Sequence, residues 1–331
     1  MPGVIELHTD NMERHMIPRP KTFWPNVMAA AVAHDAEMAA SGVTTVFDSV
    51  RVGAIPNEDK PQNQLFMALQ QAIHQAHDSQ AFRINHRLHV RCELTDPNIM
   101  EALEPAVDAP LLGLVSLMDH TPGQRQWRDL EALRRHNSRS NRSDAEIESM
   151  IQDRIELGHK HVVKNRAAVL KRFENHTGLV LASHDDTTVQ HVLDGVADGV
   201  QISEFPCSLI AAETAKEHGL YTIAGAPNVV RGGSHSGNVS ALDLLDAKVL
   251  DGLSSDYVPS SLLQSVFVIA NRAGWDLPKA AALVTANNAR MANLSDRGRL
   301  LKGLRGDLIR VAVLDNTPIV REVYVGGKRV A

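Results

Sequence analysis

Aromatic residues make up only 4% of this 331-residue chain, so its core must be built largely from aliphatic side chains. Cysteine occurs twice, as Cys92 and Cys207, far apart in sequence. That excludes a disulfide framework and fits a reducing, cytoplasmic setting. No apolar run reaches the roughly 18 residues that a membrane span needs. The opening Met1-Pro2-Gly3-Val4-Ile5-Glu6 has neither the basic nor the apolar region of a signal peptide. The formal net charge of −5 offers no basic footprint for nucleic acid or for an anionic membrane face. No Gly-x-Gly-x-x-Gly follows the first expected strand, and no glycine-rich stretch ends in Gly-Lys-Ser/Thr, which argues against a dinucleotide-binding sheet and a P-loop. No fixed-period repeat and no low-complexity tract is found.

What is present is a 44% hydrophobic fraction, enough for a large core, and 16 histidines, well above the usual share. Short aliphatic or β-branched runs alternate with helix-like stretches. The expected strands are Val4–His8, Thr44–Asp48, Leu88–Glu93, Gly113–Met118, Val180–His184, Gly199–Ser203, Tyr221–Ala224 and Leu253–Ser255. Helices are expected between them, among them 26–40, 58–75, 98–104, 144–159, 165–175, 187–194, 208–217 and 240–248. This alternation predicts parallel pairing and right-handed crossovers, and eight strands suit a (β/α)₈ barrel of about 250 residues or more. The Arg-, Asn- and Ser-rich stretch 125–141 reads as a solvated connector. Residues 1–300 are expected to form the barrel. Residues 301–331 carry two more strands with a turn at Asp315-Asn316, the C-terminal part of an incomplete β-sandwich.

The polar residues at the strand ends carry the functional signal, because barrel enzymes place their chemistry at the C-terminal ends of the strands. The ends read His8-Thr9-Asp10, Asp48-Ser49 with Arg51, Arg91-Cys92-Glu93 after His89, Asp119-His120, His184-Asp185-Asp186, Ser203-Glu204 and Ser255-Asp256. A single polar residue there is usually a turn former or a helix cap. Seven such ends around one mouth would gather negative charge that a divalent cation is suited to neutralise. His8 and Asp10 alternate, so an extended strand would point both the same way. Mixed nitrogen and oxygen donors suit zinc, manganese or iron, which can activate a water near neutral pH. The segment 225–238 holds four glycines interleaved with Arg231, Ser234, His235 and Asn238. It reads equally as a phosphate-binding loop or as a flexible lid.

The opening Pro2-Gly3-Val4-Ile5-Glu6-Leu7-His8-Thr9-Asp10 resembles that of the amidohydrolase superfamily, with Asp10 in place of a second histidine. The strings His8–His15 with Pro18-Arg19-Pro20 and Trp24-Pro25, 42–48, 88–93, 118–126, 183–187, 225–238 and 253–257 resemble a narrower family, the α-D-ribose 1-methylphosphonate 5-triphosphate diphosphatases of phosphonate utilisation. The likeness runs from residue 1 to about residue 294. It implies hydrolysis of a ribose 5-triphosphate with release of pyrophosphate. The implied cofactor is one or two divalent metals, zinc first, with manganese or iron as alternatives. The implied ligands are His8, Asp10, Glu93, His184 and Asp256, with Asp256 and His184 as catalytic groups and the role of Glu204 left open. The implied substrate contacts are Arg231, Gly232, Gly233, Ser234 and His235. Arg51, Lys164 and Arg166 are further cations for the phosphates. The expected partner is a phosphorylated sugar phosphonate, and a homo-oligomer is left open.

The resemblance also implies a β-structure ahead of Pro2 in the relatives, so the strands within 306–328 are expected to lack partners and expose an edge. Two other readings stand beside the diphosphatase. One is a C–N hydrolase such as a deaminase or deacetylase, which the barrel alone permits. The other is a catalytically silent binding protein.

Overall fold

The computed structural model describes residues 1–20, 22–55, 61–138, 142–234 and 237–331. Eight strands form one parallel sheet in sequence order: β1 Val4–Thr9, β2 Val43–Val52, β3 Asn85–Glu93, β4 Leu112–Met118, β5 Val180–His184, β6 Ile202–Glu204, β7 Tyr221–Gly225 and β8 Gly252–Ser254. Each matches an expected strand. β2 continues past Asp48 because Ser49 to Val52 keep pairing with His89 to Cys92 of β3.

The sheet rolls into a nearly closed barrel. Asp256 N donates to His8 O (3.1 Å) and Asp10 N to Asp256 O (3.2 Å), which joins the last strand end to the first. Asn288, fully buried, donates from Nδ2 to Ile5 O (2.7 Å) and Leu253 O (2.9 Å). Glu6 bridges the same seam, accepting the backbone N–H of His8 and of Ser255 (both 2.7 Å). Burial pushes its carboxyl up to about 8, against those hydrogen bonds.

Strand parity explains how the barrel is filled. Inside, Ile5, Leu7, Phe47, Leu114, Ala182, Ile202 and Ile223 form an apolar plug. Outside, Val50, Leu88, Val90, Cys92 and Val115 pack against the helices. β3 alternates with particular clarity. Its inward positions, Asn85, Arg87, His89, Arg91 and Glu93, are all polar, whereas Leu88, Val90 and Cys92 face out into the helix layer.

The helices differ from expectation in several places among the described residues. The stretches 144–159 and 165–175 are one helix, Asp144–Phe173, opened by a capping box of Ser143 and Glu146. Gly158 does not break it. A Cβ there would lie 2.0 Å from Thr121 Oγ1, so the glycine permits close contact between helix and barrel rim. The supposed connector carries a helix, Leu130–Asn137, preceded by a buried Arg125. A short helix, Ala226–Arg231, occupies the first half of the glycine-rich segment. The first residues of the helix expected at 58–75 lie outside the described residues, and the helix is described from Gln62 to Asp78.

Beside the barrel lies a small antiparallel sheet of β9 Leu308–Leu314, β10 Thr317–Val325 and β11 Lys328–Arg329. Asp315 and Asn316 make the expected turn, both with left-handed φ (47° and 61°). The expected bare edge is partly covered. Met1 N donates to Ile309 O (2.9 Å), Ile309 N to Met1 O (3.0 Å) and Gly3 N to Asp307 O (3.0 Å). Val313 and Leu314, beyond that pairing, remain exposed.

Candidate active site

The C-terminal ends of the strands bring His8, His184 and Glu204 together. His8 Nδ1 and Glu204 Oε1 lie 2.9 Å apart, and His184 Nδ1 and Glu204 Oε2 lie 3.3 Å apart. The two imidazoles stack at 5.5 Å, and Phe205 packs edge-on against both. One donor atom from each of the three residues falls within 4.8 Å of the others, the reach of a single ion. A second group, His120, His184 and Asp185, meets the same criterion and shares His184. Glu204, whose role the sequence left open, is therefore central.

Strained backbone places these groups. Asp185 and Phe205 follow directly on the ends of β5 and β6, Asp256 lies two residues past the end of β8, and all three hold left-handed φ, of 57°, 52° and 54°. Non-glycine residues adopt that region at a cost, and such strain gathers at functional sites. Arg125 holds the β5 end from outside, donating from Nη1 to His184 O (2.7 Å) and to Asp186 Oδ1 (2.8 Å). The other oxygen of Asp186 accepts from Ser183 and from Ser203 (2.7 Å for Ser203), which ties β5 to β6.

The electrostatics suit a cation. Burial lowers the His8 pKa to about 4, so its imidazole is neutral and can offer a lone pair. No hydrogen bond to His8 Nε2 is found among the described residues. His89 forms the floor. Its Nδ1 lies 2.9 Å from both Leu7 O and Ser49 Oγ, its Nε2 is 2.7 Å from Ser116 Oγ, and burial lowers its pKa to about 3. Glu93 is fully buried, which alone would raise its pKa. His120, bonded to Oε2, and Thr95, bonded to Oε1 at 2.7 Å, hold it down at about 2.

Above these groups opens a cleft of about 860 Å³ including its mouth. His8, His184 and Asp256 line it, and so do Arg91, Asn228, Ser234, Asn238 and Tyr257. Arg91 is the one arginine among the described lining residues, and its Nε is buried with no hydrogen-bond partner among them. Sequence reasoning named Arg91 only as part of a strand end. The signal that finds it is parity, since it lies two residues from both His89 and Glu93 on the inward face of β3.

Other expected residues stand elsewhere. Asp10 follows the end of β1 with φ −97° and ψ 11°, so the extended alternation with His8 does not reach it, and it belongs to neither three-donor group. Glu93 reaches the centre through its contact with His120. Arg51 donates to Gln62 Oε1 (2.8 Å) and does not line the cleft. Arg166 pairs with Asp198, and Lys164 is exposed on the long helix. Arg231 ends its short helix exposed to solvent. The N–H groups of Gly232 and Gly233 both donate to Asn228 O (3.1 and 3.0 Å), so they are not free to cradle a phosphate as expected. His235 lies outside the described residues.

No family model matches the chain. Over an alignment of 337 residues, covering all of this chain and 87% of the other, it is 40% identical to α-D-ribose 1-methylphosphonate 5-triphosphate diphosphatase of Escherichia coli K12. The chain belongs to that family. Solved structures share the barrel fold at low identity. The 5-methylcytosine deaminase of Klebsiella pneumoniae superposes with a TM-score of 0.65 at 13% identity, over 100% of this chain and 85% of that one. The N-acetylglucosamine-6-phosphate deacetylase of Thermotoga maritima gives 0.57 at 14%, over 100% and 88%. These two likenesses concern the fold. At the end of β6 the carboxylate of Glu204 lies between the two imidazoles.

Proposed function

We propose that this chain is a cytoplasmic, metal-dependent hydrolase of phosphonate catabolism. It cleaves the 5-triphosphate of an α-D-ribose 1-phosphonate, releases pyrophosphate and leaves the sugar 5-phosphate with its phosphonate intact. The observation that carries this reading is His8, His184 and Glu204 within reach of one ion, with His8 and His184 lining the cleft, in a chain 40% identical to a diphosphatase.

The donor set fits a divalent ion, zinc before manganese or iron: two imidazoles and a carboxylate, buried, with one imidazole nitrogen unbonded. His8, His184 and Glu204 would hold it. His120 and Asp185 would serve a second ion next to His184, and Asp10, Glu93 and Asp256 would complete the set that the family likeness implies. Such an ion, when bound, supplies Lewis-acid polarisation and a more acidic water.

The remaining work falls to the chain. Asp256, whose backbone bonds to His8 and Asp10 hold it at the rim, takes the proton of the attacking water in this reading. Arg91 meets the phosphates with a guanidinium that is already desolvated at Nε, so its charge acts in a low dielectric as the transferred group gains negative charge. Ser234, Asn228 and Asn238 offer neutral donors along the substrate, and Phe205 walls off water behind the two histidines.

The test is metal content together with pyrophosphate release on α-D-ribose 1-methylphosphonate 5-triphosphate in one preparation. One or two equivalents of metal with release of pyrophosphate supports the proposal. Metal without pyrophosphate release rejects it in favour of a C–N hydrolase. Neither, after reconstitution with zinc and manganese, leaves the silent binding protein.

A further inference from the structure

The opposite, N-terminal end of the barrel carries a charge pattern that the reaction does not use. A second cavity, about 840 Å³ including its mouth, opens there between the helix Ala286–Met291 and the segment that follows it. Three arginines line it. Arg297 is buried and built in, donating from Nη1 to Thr45 Oγ1 (2.9 Å) and Asn85 Oδ1 (2.8 Å) on β2 and β3, while Nε and Nη2 pair with Asp296. Among the described residues the Arg290 guanidinium is bonded only to Asn287 Oδ1 (3.3 Å), and it lies over the ring of Tyr221 at 5.6 Å. Arg299 has no partner among the described residues.

Arg87 adds to them from within the barrel. It is half-buried over Phe47, with its guanidinium 5.9 Å from the ring centroid, and has no carboxylate partner among the described residues. Its pKa is lowered first by burial and then by the charges of Arg297 and Arg305, with only Asp296 acting the other way. Arg305 is itself neutralised by Asp307 at 2.9 Å. Two aspartates therefore answer five arginines, in a chain whose net charge is negative. A desolvated guanidinium beside like charges is costly unless an anion compensates it. The planar fork of arginine matches phosphate oxygens in pairs, and Arg297, its own fork taken up by Asp296, Thr45 and Asn85, is a fixed wall behind Arg290 and Arg299.

We propose that this cavity is a second binding site, for a phosphate-bearing small anion, at the end of the barrel away from the catalytic cleft. Arg290 and Arg299 close on the anion from the rim, Arg297 holds the wall, and Arg87 supplies charge from below. The site stands on its own residues and does not depend on the reaction proposed for the cleft.

Equilibrium dialysis of labelled pyrophosphate and of labelled inorganic phosphate against the metal-loaded full chain tests it. Four proteins are compared: wild type, Arg290→Ala/Arg299→Ala, His8→Ala, which alters only the cleft, and the three substitutions combined. The expected result is that the double variant loses one equivalent of anion, or binds it at least about tenfold more weakly, a change of about 1.4 kcal/mol. His8→Ala should retain that equivalent, and the combined variant should lose it. Arg290→Lys/Arg299→Lys should recover part of the binding, which separates charge from misfolding. Pyrophosphate bound about tenfold tighter than phosphate would point to a diphosphate group as ligand, and equal binding to a single phosphoryl group. A double variant that holds as many equivalents as wild type, at the same affinity, overturns the proposal. So does a wild type that binds no anion outside the cleft.

Discussion

Two clusters in this molecule have the same composition and opposite character. His8, His184 and Glu204 form one; His34, Asp48 and His86 form the other. Each sets two imidazoles about one carboxylate, wholly buried, with donor atoms within the span of one ion. The second cluster is sealed between β2, β3 and the helix Val27–Ala40. His34 takes the Asn11 amide at Nδ1 (3.1 Å) and meets Asp48 Oδ1 through Nε2 (2.7 Å). His86 meets Asp48 Oδ2 (2.7 Å) and Asp35 Oδ1 (3.3 Å) and stacks on Phe82 at 3.7 Å. Every ring nitrogen is engaged. The first cluster borders the cleft and leaves His8 Nε2 without a hydrogen bond among the described residues. The protonation states diverge accordingly. Burial lowers His8 to about 4, whereas Asp48 and Asp35 overcome burial and hold His86 up at about 9. One cluster turns a neutral imidazole, His8, toward the cleft, and the other is an internal imidazolium–carboxylate bond. What makes a metal site is an open direction for the lone pairs, beyond the residue types.

The comparison breaks first on metal binding. His8→Ala should remove bound metal and lower pyrophosphate release by more than about a hundredfold, beyond the usual loss from an outer partner, while His34→Ala should leave metal stoichiometry unchanged. Elemental analysis with the activity assay reads both. Metal lost equally from the two variants would erase the distinction.

Stability reverses the order. His86→Leu leaves Asp48 and Asp35 buried without their shared cation, which should cost about 3–5 kcal/mol in urea unfolding. Molecules still folded should keep their metal. An unfolding midpoint matching wild type would show that the sealed cluster is not charged as described.

The smallest effect is in pH. His86 is raised from 6.5 to about 9, so its contribution is full below pH 6.5 and is lost as pH rises through about 9. Asp48 is lowered from 3.8 to about 2, so its contribution is full above pH 3.8 and is lost as pH falls through about 2. The stability difference between wild type and Asp48→Asn/His86→Leu should be level from about pH 4 to 6.5 and should shrink outside that window. Denaturant titrations across pH that show the difference growing above pH 8 would contradict the assignment.

Much of the fold was legible because strand and helix alternate without long interruption, and because strand-end residues such as His8, Glu93, His184 and Asp256 have no apolar role to fill. Glu204 and Arg91 were harder to read. A carboxylate after a short strand looks like a turn former, and an arginine between His89 and Glu93 gains meaning only once the inward parity of β3 is known. The glycine-rich segment misled because glycine content speaks of backbone freedom, whereas here Gly232 and Gly233 cap a helix and use their N–H groups in doing so. Gly158 misled in the other direction, since a glycine inside a helix can serve a close contact as well as an end. Arg125 sat in a stretch that composition marks as solvent-facing, and only its tertiary bond to the His184 carbonyl gives it a role.

Asn288 has a bearing on how the barrel comes into being. Its amide spans from Ile5, 283 positions earlier, to the last strand, so the two ends of the sheet are clasped by a residue made after all eight strands. During synthesis this clasp cannot form until Asn288 emerges, so the seam rests on a strongly non-local contact. The clasp over the seam thus depends on residues from both ends of the barrel sequence and is complete only when all eight strands are present.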